Sequence, residues 1–123
     1  MSLLLDTSII VDLLRGDAAA VDYASRLSEV PFCSEITALE ILSAVRPSQL
    51  PVAEQVLDVL HRVPVDRSIA RRAGEIGRRW ARRRPPLAAA DLIILATAEE
   101  LDAELVTTSQ RRYPSAIKTV KPY

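Results

Sequence analysis

The sequence predicts an α/β domain with a mainly parallel central sheet flanked by helices. Two observations carry that expectation. Short apolar runs at 3–5, 30–33, 63–65 and 104–107 alternate with longer stretches of helical spacing, the pattern of strand–helix–strand crossovers. A chain of 123 residues, 49% hydrophobic and 26% charged, can also bury one core without staples. It reads as a single soluble domain over 1–123.

The elements follow in order. Leu3, Leu4 and Leu5 make a strand that ends at Asp6-Thr7-Ser8. Ile9, Ile10, Leu13 and Leu14 then have helical spacing, closed by Gly16, and Asp17 caps a second helix to about Leu27. A strand over 30–33 tolerates Pro31 near its start. Ile36, Leu39, Leu42 and Val45 recur every third residue and mark a helix ending near Arg46-Pro47. Another helix covers 52–61, with Val56, Leu57 and Leu60 inward, and a third strand covers 63–65. In the long helix over 67–83, Ile69, Ala73, Ile76 and Trp80 step by four, three and four, until Pro85-Pro86 stops it. A helix over 88–101, a strand over 104–107 and a last strand over 116–120 complete the chain. No repeat or linker interrupts it.

Composition excludes several classes. Cys33 is the only cysteine, so no intrachain disulfide forms and a reducing cytosol fits. With His61 the only histidine, a zinc site of the usual His and Cys type is excluded. A metal must therefore be held by oxygen, which favours Mg²⁺ or Mn²⁺. The apolar run 87–98 is interrupted by Asp91 and too short to span a membrane. The apolar N-terminus has no basic leader or cleavage site, leaving the cytoplasm as the expected location.

The net charge of zero hides an asymmetry. Residues 1–61 hold nine acids and three bases, and residues 62–123 hold seven acids and thirteen bases. An anionic partner suits the second half and cations suit the first.

Three carboxylates sit at seams between apolar and polar stretches: Asp6 in LLLDTSIIVDLL, Glu40 in SEITALEILSAV and Asp91 in LAAADLIILATA. Acids among apolar side chains are costly unless paired, hydrogen-bonded or metal-bound. Each also has a plain structural reading. Asp6 is a good helix cap, Thr37-Ala38-Leu39-Glu40 matches a capping box, and Asp91 can favour a helix N-terminus through the dipole. A shared cation site and a capped domain without chemistry both remain open on these grounds.

The same strings resemble the PIN domain, specifically the VapC-type ribonuclease toxins of bacterial toxin–antitoxin pairs. The matching features are LLLDTSIIVDLLRG, SEITALEILSAV and AAADLIILATAEELDAELVTTSQRRYP, in order along essentially the whole chain. The resemblance implies a Rossmann-like PIN fold and a Mg²⁺- or Mn²⁺-dependent endoribonuclease. It carries Asp6, Glu40 and Asp91 over as catalytic, metal-binding acids, with supporting roles for Thr7 and Ser8. Where the family often has Asp or Asn after the late strand, this chain places Ser109, a poor substitute for an anionic ligand. One metal is therefore expected rather than two. The resemblance also implies a VapB-like antitoxin and a toxin homodimer, a heterotetramer or larger with antitoxin. Ile10, Leu14 and Val21 are candidates to line the antitoxin groove, and serve equally as core.

For RNA, the candidate contacts are Arg78, Arg79, Arg82 and Arg83, with Arg84 beside them, and Arg111 and Arg112 after the Ser109 loop. A solvated outer helix face would read the same way. Trp80 can stack on a base, but its place in the apolar stripe favours the core. Two rivals stand beside the nuclease. One is a PIN-like protein that mainly binds its partner, with little or no nuclease activity. The other is a phosphatase with Asp6 as nucleophile, which expects an acid where Ser8 stands and a lysine that this chain places only at Lys118 and Lys121.

Overall fold

The computed structural model describes residues 2–123. Its elements alternate as expected: β1 (Leu3–Leu5), α1 (Thr7–Leu14), α2 (Ala18–Ser25), β2 (Phe32–Ser34), α3 (Glu35–Ala44), α4 (Leu50–Asp58), β3 (His61–Val63), α5 (Arg67–Arg79), α6 (Ala89–Leu101), β4 (Glu104–Val106) and β5 (Thr119–Val120). Two 3-10 turns, Pro47–Gln49 and Gln110–Arg112, join them.

The strands form one sheet in the order β3-β2-β1-β4-β5, with every pair parallel. From β1 the chain steps outward to β3, then resumes on the other side of β1 at β4. That reversal puts a topological switch point at the carboxyl ends of β1 and β4, the edge where open parallel sheets bind ligands.

Both faces of the sheet are covered, so β1 is apolar at every position. Alternation then sorts the core into two. Leu4, in register with Leu105, packs with Ile69, Ile76 and Ile94 of α5 and α6. Leu5, in register with Val106, packs with Ile9, Ile41 and Leu57 of α1, α3 and α4. Helices α5 and α6 lie antiparallel. Ser68 and Arg72 bond Glu100 at one end, and at the other a Cβ on Gly77 would lie 3.2 Å from Leu92 Cδ1. Gly16, at φ 70°, ends α1 in the left-handed conformation that only glycine adopts freely.

Several expected boundaries move. The third strand lies at His61–Val63 rather than 63–65, and His61 opens it rather than closing the preceding helix. Its register is set by Phe32 opposite His61, and Pro64 has no N–H with which to continue the ladder. The second strand begins at Phe32, not residue 30, and the last is only Thr119–Val120, because Ile117 N–H turns back to Pro114 O. The helix expected through residue 83 ends at Arg79. Beyond it the Arg83 and Arg84 side chains donate to the Pro85, Ala81 and Arg83 carbonyls, tying down a loop that contains Arg82 and Arg83.

Leu39, one of the residues that recur every third position, is 60% exposed. At about 100° per residue a strict three-residue spacing drifts about 60° backward at each step, so it cannot stay on one face. The face that α3 buries is instead Thr37, Ala38 and Ile41. Ile10 belongs wholly to the core, whereas Val21 is half exposed, so Ile10 is not free to line a partner groove.

Candidate active site

Asp6 follows directly on β1, and its backbone N–H extends the ladder to Val106 O at 2.9 Å. It caps α1 and is fully buried. A carboxylate in that position needs donors, and it has two. Oδ1 accepts from Thr7 N–H at 2.6 Å and Oδ2 from the Thr107 hydroxyl at 2.6 Å. Thr107 stands just past β4, so the two central strands hold the acid between their ends. The Thr107 oxygen also accepts from Ser109 N–H at 2.9 Å and lies 3.4 Å from Ser8 Oγ, which itself accepts from Thr108 N–H. Ser8 thus clamps the β4 loop to α1. Ser109 contributes its backbone to this network, and its side chain caps nothing.

Asp91 lies in the first turn of α6 and is 5% exposed. Oδ2 accepts from Ala88 N–H at 3.2 Å, half of a capping box, and Oδ1 accepts from the Arg112 guanidinium. Burial works against the charge on Arg112, but Asp91 and then Asp6 outweigh it and raise its pKa. Both acids therefore act on one guanidinium across the switch point. Tyr113 completes the cluster. Its buried hydroxyl approaches Asp6 without reaching hydrogen-bond geometry and has no partner, while burial and Asp6 hold its pKa well above the usual tyrosine range.

Glu40 does not form the capping box its sequence suggests. Ser34 caps α3 through Ile36 N–H, which places Glu40 well inside the helix. Its Oε1 instead accepts from the Thr7 hydroxyl at 2.7 Å, and Thr7 Oγ1 lies 3.1 Å from Thr37 Oγ1. Thr7 thus ties Glu40 of α3 to Asp6 through its hydroxyl and its N–H.

These groups suit a hard divalent cation in donor type: carboxylate oxygens, threonine hydroxyls and a phenol. They are not drawn into a cage. Among the described residues no three of Asp, Glu, His and Cys are close enough together to hold a metal. The cation beside Asp91 is the chain's own Arg112.

The remaining arginines separate by what engages them. Arg83 donates to Arg111 O at 3.0 Å and Pro85 O at 2.9 Å, bracing the turn that carries Arg112. Arg79 lies 3.8 Å from Glu99. Among the described residues the side chains of Arg78, Arg82 and Arg111 have no ion pair or hydrogen bond within the protein, which leaves them available to an anion. Thr107, Thr37 and Tyr113 were not singled out by sequence reasoning. Thr107 carries the same signal as Asp6, a polar residue ending an apolar strand.

Comparison with known proteins gives the arrangement its context. A PIN domain family model matches residues 3–116. The chain is 35% identical to Ribonuclease VapC19 of Mycobacterium tuberculosis over 123 residues, 98% of each chain. It is 28% identical to Ribonuclease VapC10 of the same organism, over 98% of this chain and 92% of that one. Among solved structures, a toxin–antitoxin complex from Klebsiella pneumoniae superposes with a TM-score of 0.84 at 27% identity, covering 99% of this chain and 98% of that one.

Proposed function

The chain belongs to the PIN-domain family as a homologue of VapC-type ribonucleases, and on that premise we propose that it is a Mg²⁺- or Mn²⁺-dependent endoribonuclease acting as the toxin of a VapBC-like pair. The observation that carries this reading is Asp6, buried at the carboxyl end of β1, with the Asp91–Arg112 pair close enough to feel its charge.

In this reading Asp6 and Asp91 hold the cation, with Glu40 reaching it from α3. A cation held there would supply polarisation of the scissile phosphoryl oxygen and lower the pKa of a water. The chain's own groups do the rest. Thr107 and Thr7 N–H hold Asp6 by both of its carboxylate oxygens at the carboxyl end of β1. Among the described residues Glu40 Oε2 accepts no hydrogen bond, so it is available as a proton acceptor at this edge of the sheet. Arg112, once drawn off Asp91, is placed to meet the phosphate, where a guanidinium can make two parallel bonds. The lone His61 lies on β3 beside Phe32, ring centroids 5.1 Å apart, so no histidine pair serves acid–base cleavage.

An antitoxin partner is part of the proposal, supported by the toxin–antitoxin complex among the structural neighbours. So is a homodimer, or a heterotetramer or larger with antitoxin, which light scattering of the chain with and without a VapB-like protein measures directly. The deciding experiment compares RNA cleavage by the wild type, Asp6→Asn and Asp91→Asn with Mg²⁺ or Mn²⁺. Each variant is expected to lose on the order of 10²-fold or more, the scale of removing one oriented charge-stabilising group. Equal cleavage by all three overturns the assignment. A wild type that cuts no RNA but binds an antitoxin tightly supports the partner-binding role instead, for which the pairing of Asp91 with Arg112 and the serine at 109 are the favouring observations.

A further inference from the structure

Beyond the acids lies a second cleft, of about 400 Å³, walled by Arg79, Trp80, Arg82, Arg83, Pro114 and Ser115. We propose that it is a subsite for a nucleotide of single-stranded RNA flanking the scissile phosphate, an inference that rests on the nuclease reading above. Three of its six lining residues are arginines and none is acidic. Among the described residues Arg82 has no partner, and Arg79 has only the 3.8 Å approach to Glu99. Trp80 and Pro114 supply an apolar wall between these charges, the combination of stacking surface and backbone-neutralising cations that binds single strands without reading sequence.

A further observation points the same way: the cleft adjoins the acid site along the chain. Pro114 and Ser115 follow directly on Tyr113, whose hydroxyl abuts Asp6, and Arg83 holds the Arg111 carbonyl next to Arg112. A strand leaving the acids along residues 112–115 therefore runs onto Trp80.

Trp80 is the only tryptophan, so the cleft carries its own reporter. The experiment titrates a short, labelled single-stranded RNA of mixed sequence into the Asp6→Asn protein in EDTA. It reads label anisotropy for binding and Trp80 fluorescence for the cleft. Expected are saturable quenching of Trp80 in step with the anisotropy and, for Arg79→Glu with Arg82→Glu, affinity at least tenfold weaker. For Arg79→Ala with Arg82→Ala, the slope of log K against log salt should be shallower by about 0.7 for each lost contact. Arg15→Glu with Arg26→Glu, at the C-terminal caps of α1 and α2, serves as the charge-matched control and should bind almost as the parent does. Anisotropy that reports binding while Trp80 stays silent and the Arg79 and Arg82 variants match the control overturns the subsite and leaves the nuclease reading standing. No RNA binding in any form, with no cleavage by the wild type, counts against both.

Discussion

Replacing Arg112 by glutamine separates the chain's own cation from the acids it faces. Asp91 has a side chain only 7% exposed, and Arg112 one 37% exposed. Two unit charges about 4 Å apart attract by ~4 kcal/mol at an effective dielectric near 20. Exposure of the guanidinium and salt reduce that to about 1–2 kcal/mol. The substitution should act in opposite directions in two buffers. In EDTA, Asp91 keeps only the Ala88 N–H, so stability falls by about 1–2 kcal/mol, a few degrees in Tm for a chain of this size. With Mn²⁺ present, the acids no longer have a competing cation, and Mn²⁺ should bind roughly tenfold tighter, equivalent to about 1.4 kcal/mol. Calorimetric titration with MnCl₂, paired with melts with and without the ion, measures both effects. Arg112→Gln binding Mn²⁺ no tighter than the wild type would refute the idea that Arg112 stands where the metal belongs.

Three further outcomes follow from the geometry. Thr107→Val keeps the shape of the side chain but leaves Asp6 Oδ2 and Ser109 N–H without their shared partner, so chemical denaturation should report a loss of about 2 kcal/mol. Burial, offset in part by Arg62, pushes the Cys33 thiol from 9.0 up to about 11. The unfolded thiol ionises first, so stability falls as pH rises through that window, by up to about 1.4 kcal/mol per pH unit. Melts from pH 8 to 11 should show a flatter alkaline slope for Cys33→Ala, and an unchanged slope would count against it. Ile94→Ala, at a fully buried position between the sheet and α5, should cost about 2–4 kcal/mol in urea denaturation.

How far the sequence could be read depended on whether a signal was local. Asp6 as the cap of α1, Gly16 as its stop and Asp17 as the next cap were all legible, because each acts within a turn of itself. The strand at 61–63 was misplaced by two residues, since Val63-Pro64-Val65 looks like a strand until pairing with β2 sets the register. Glu40 sits in a string that matches a capping box, yet Glu35-Ile36 already reads as helix, and the cap at Ser34 bears out that Glu40 lies inside it. The arginines looked alike in sequence, yet Arg83 serves as a loop brace while Arg82 has no partner among the described residues.

By itself the sequence determined the alternation of strands and helices and the placing of three acids at seams between apolar and polar stretches. These follow from side-chain period and capping chemistry, which act over a few residues. Tertiary structure alone decided the strand order β3-β2-β1-β4-β5 and, with it, the pairs that make the site: Thr107 on Asp6, Thr7 on Glu40 and Arg112 on Asp91. Those partners are 101, 33 and 21 residues apart. No local pattern says which strand ends will lie side by side. That is set only when the sheet closes on both faces of its core.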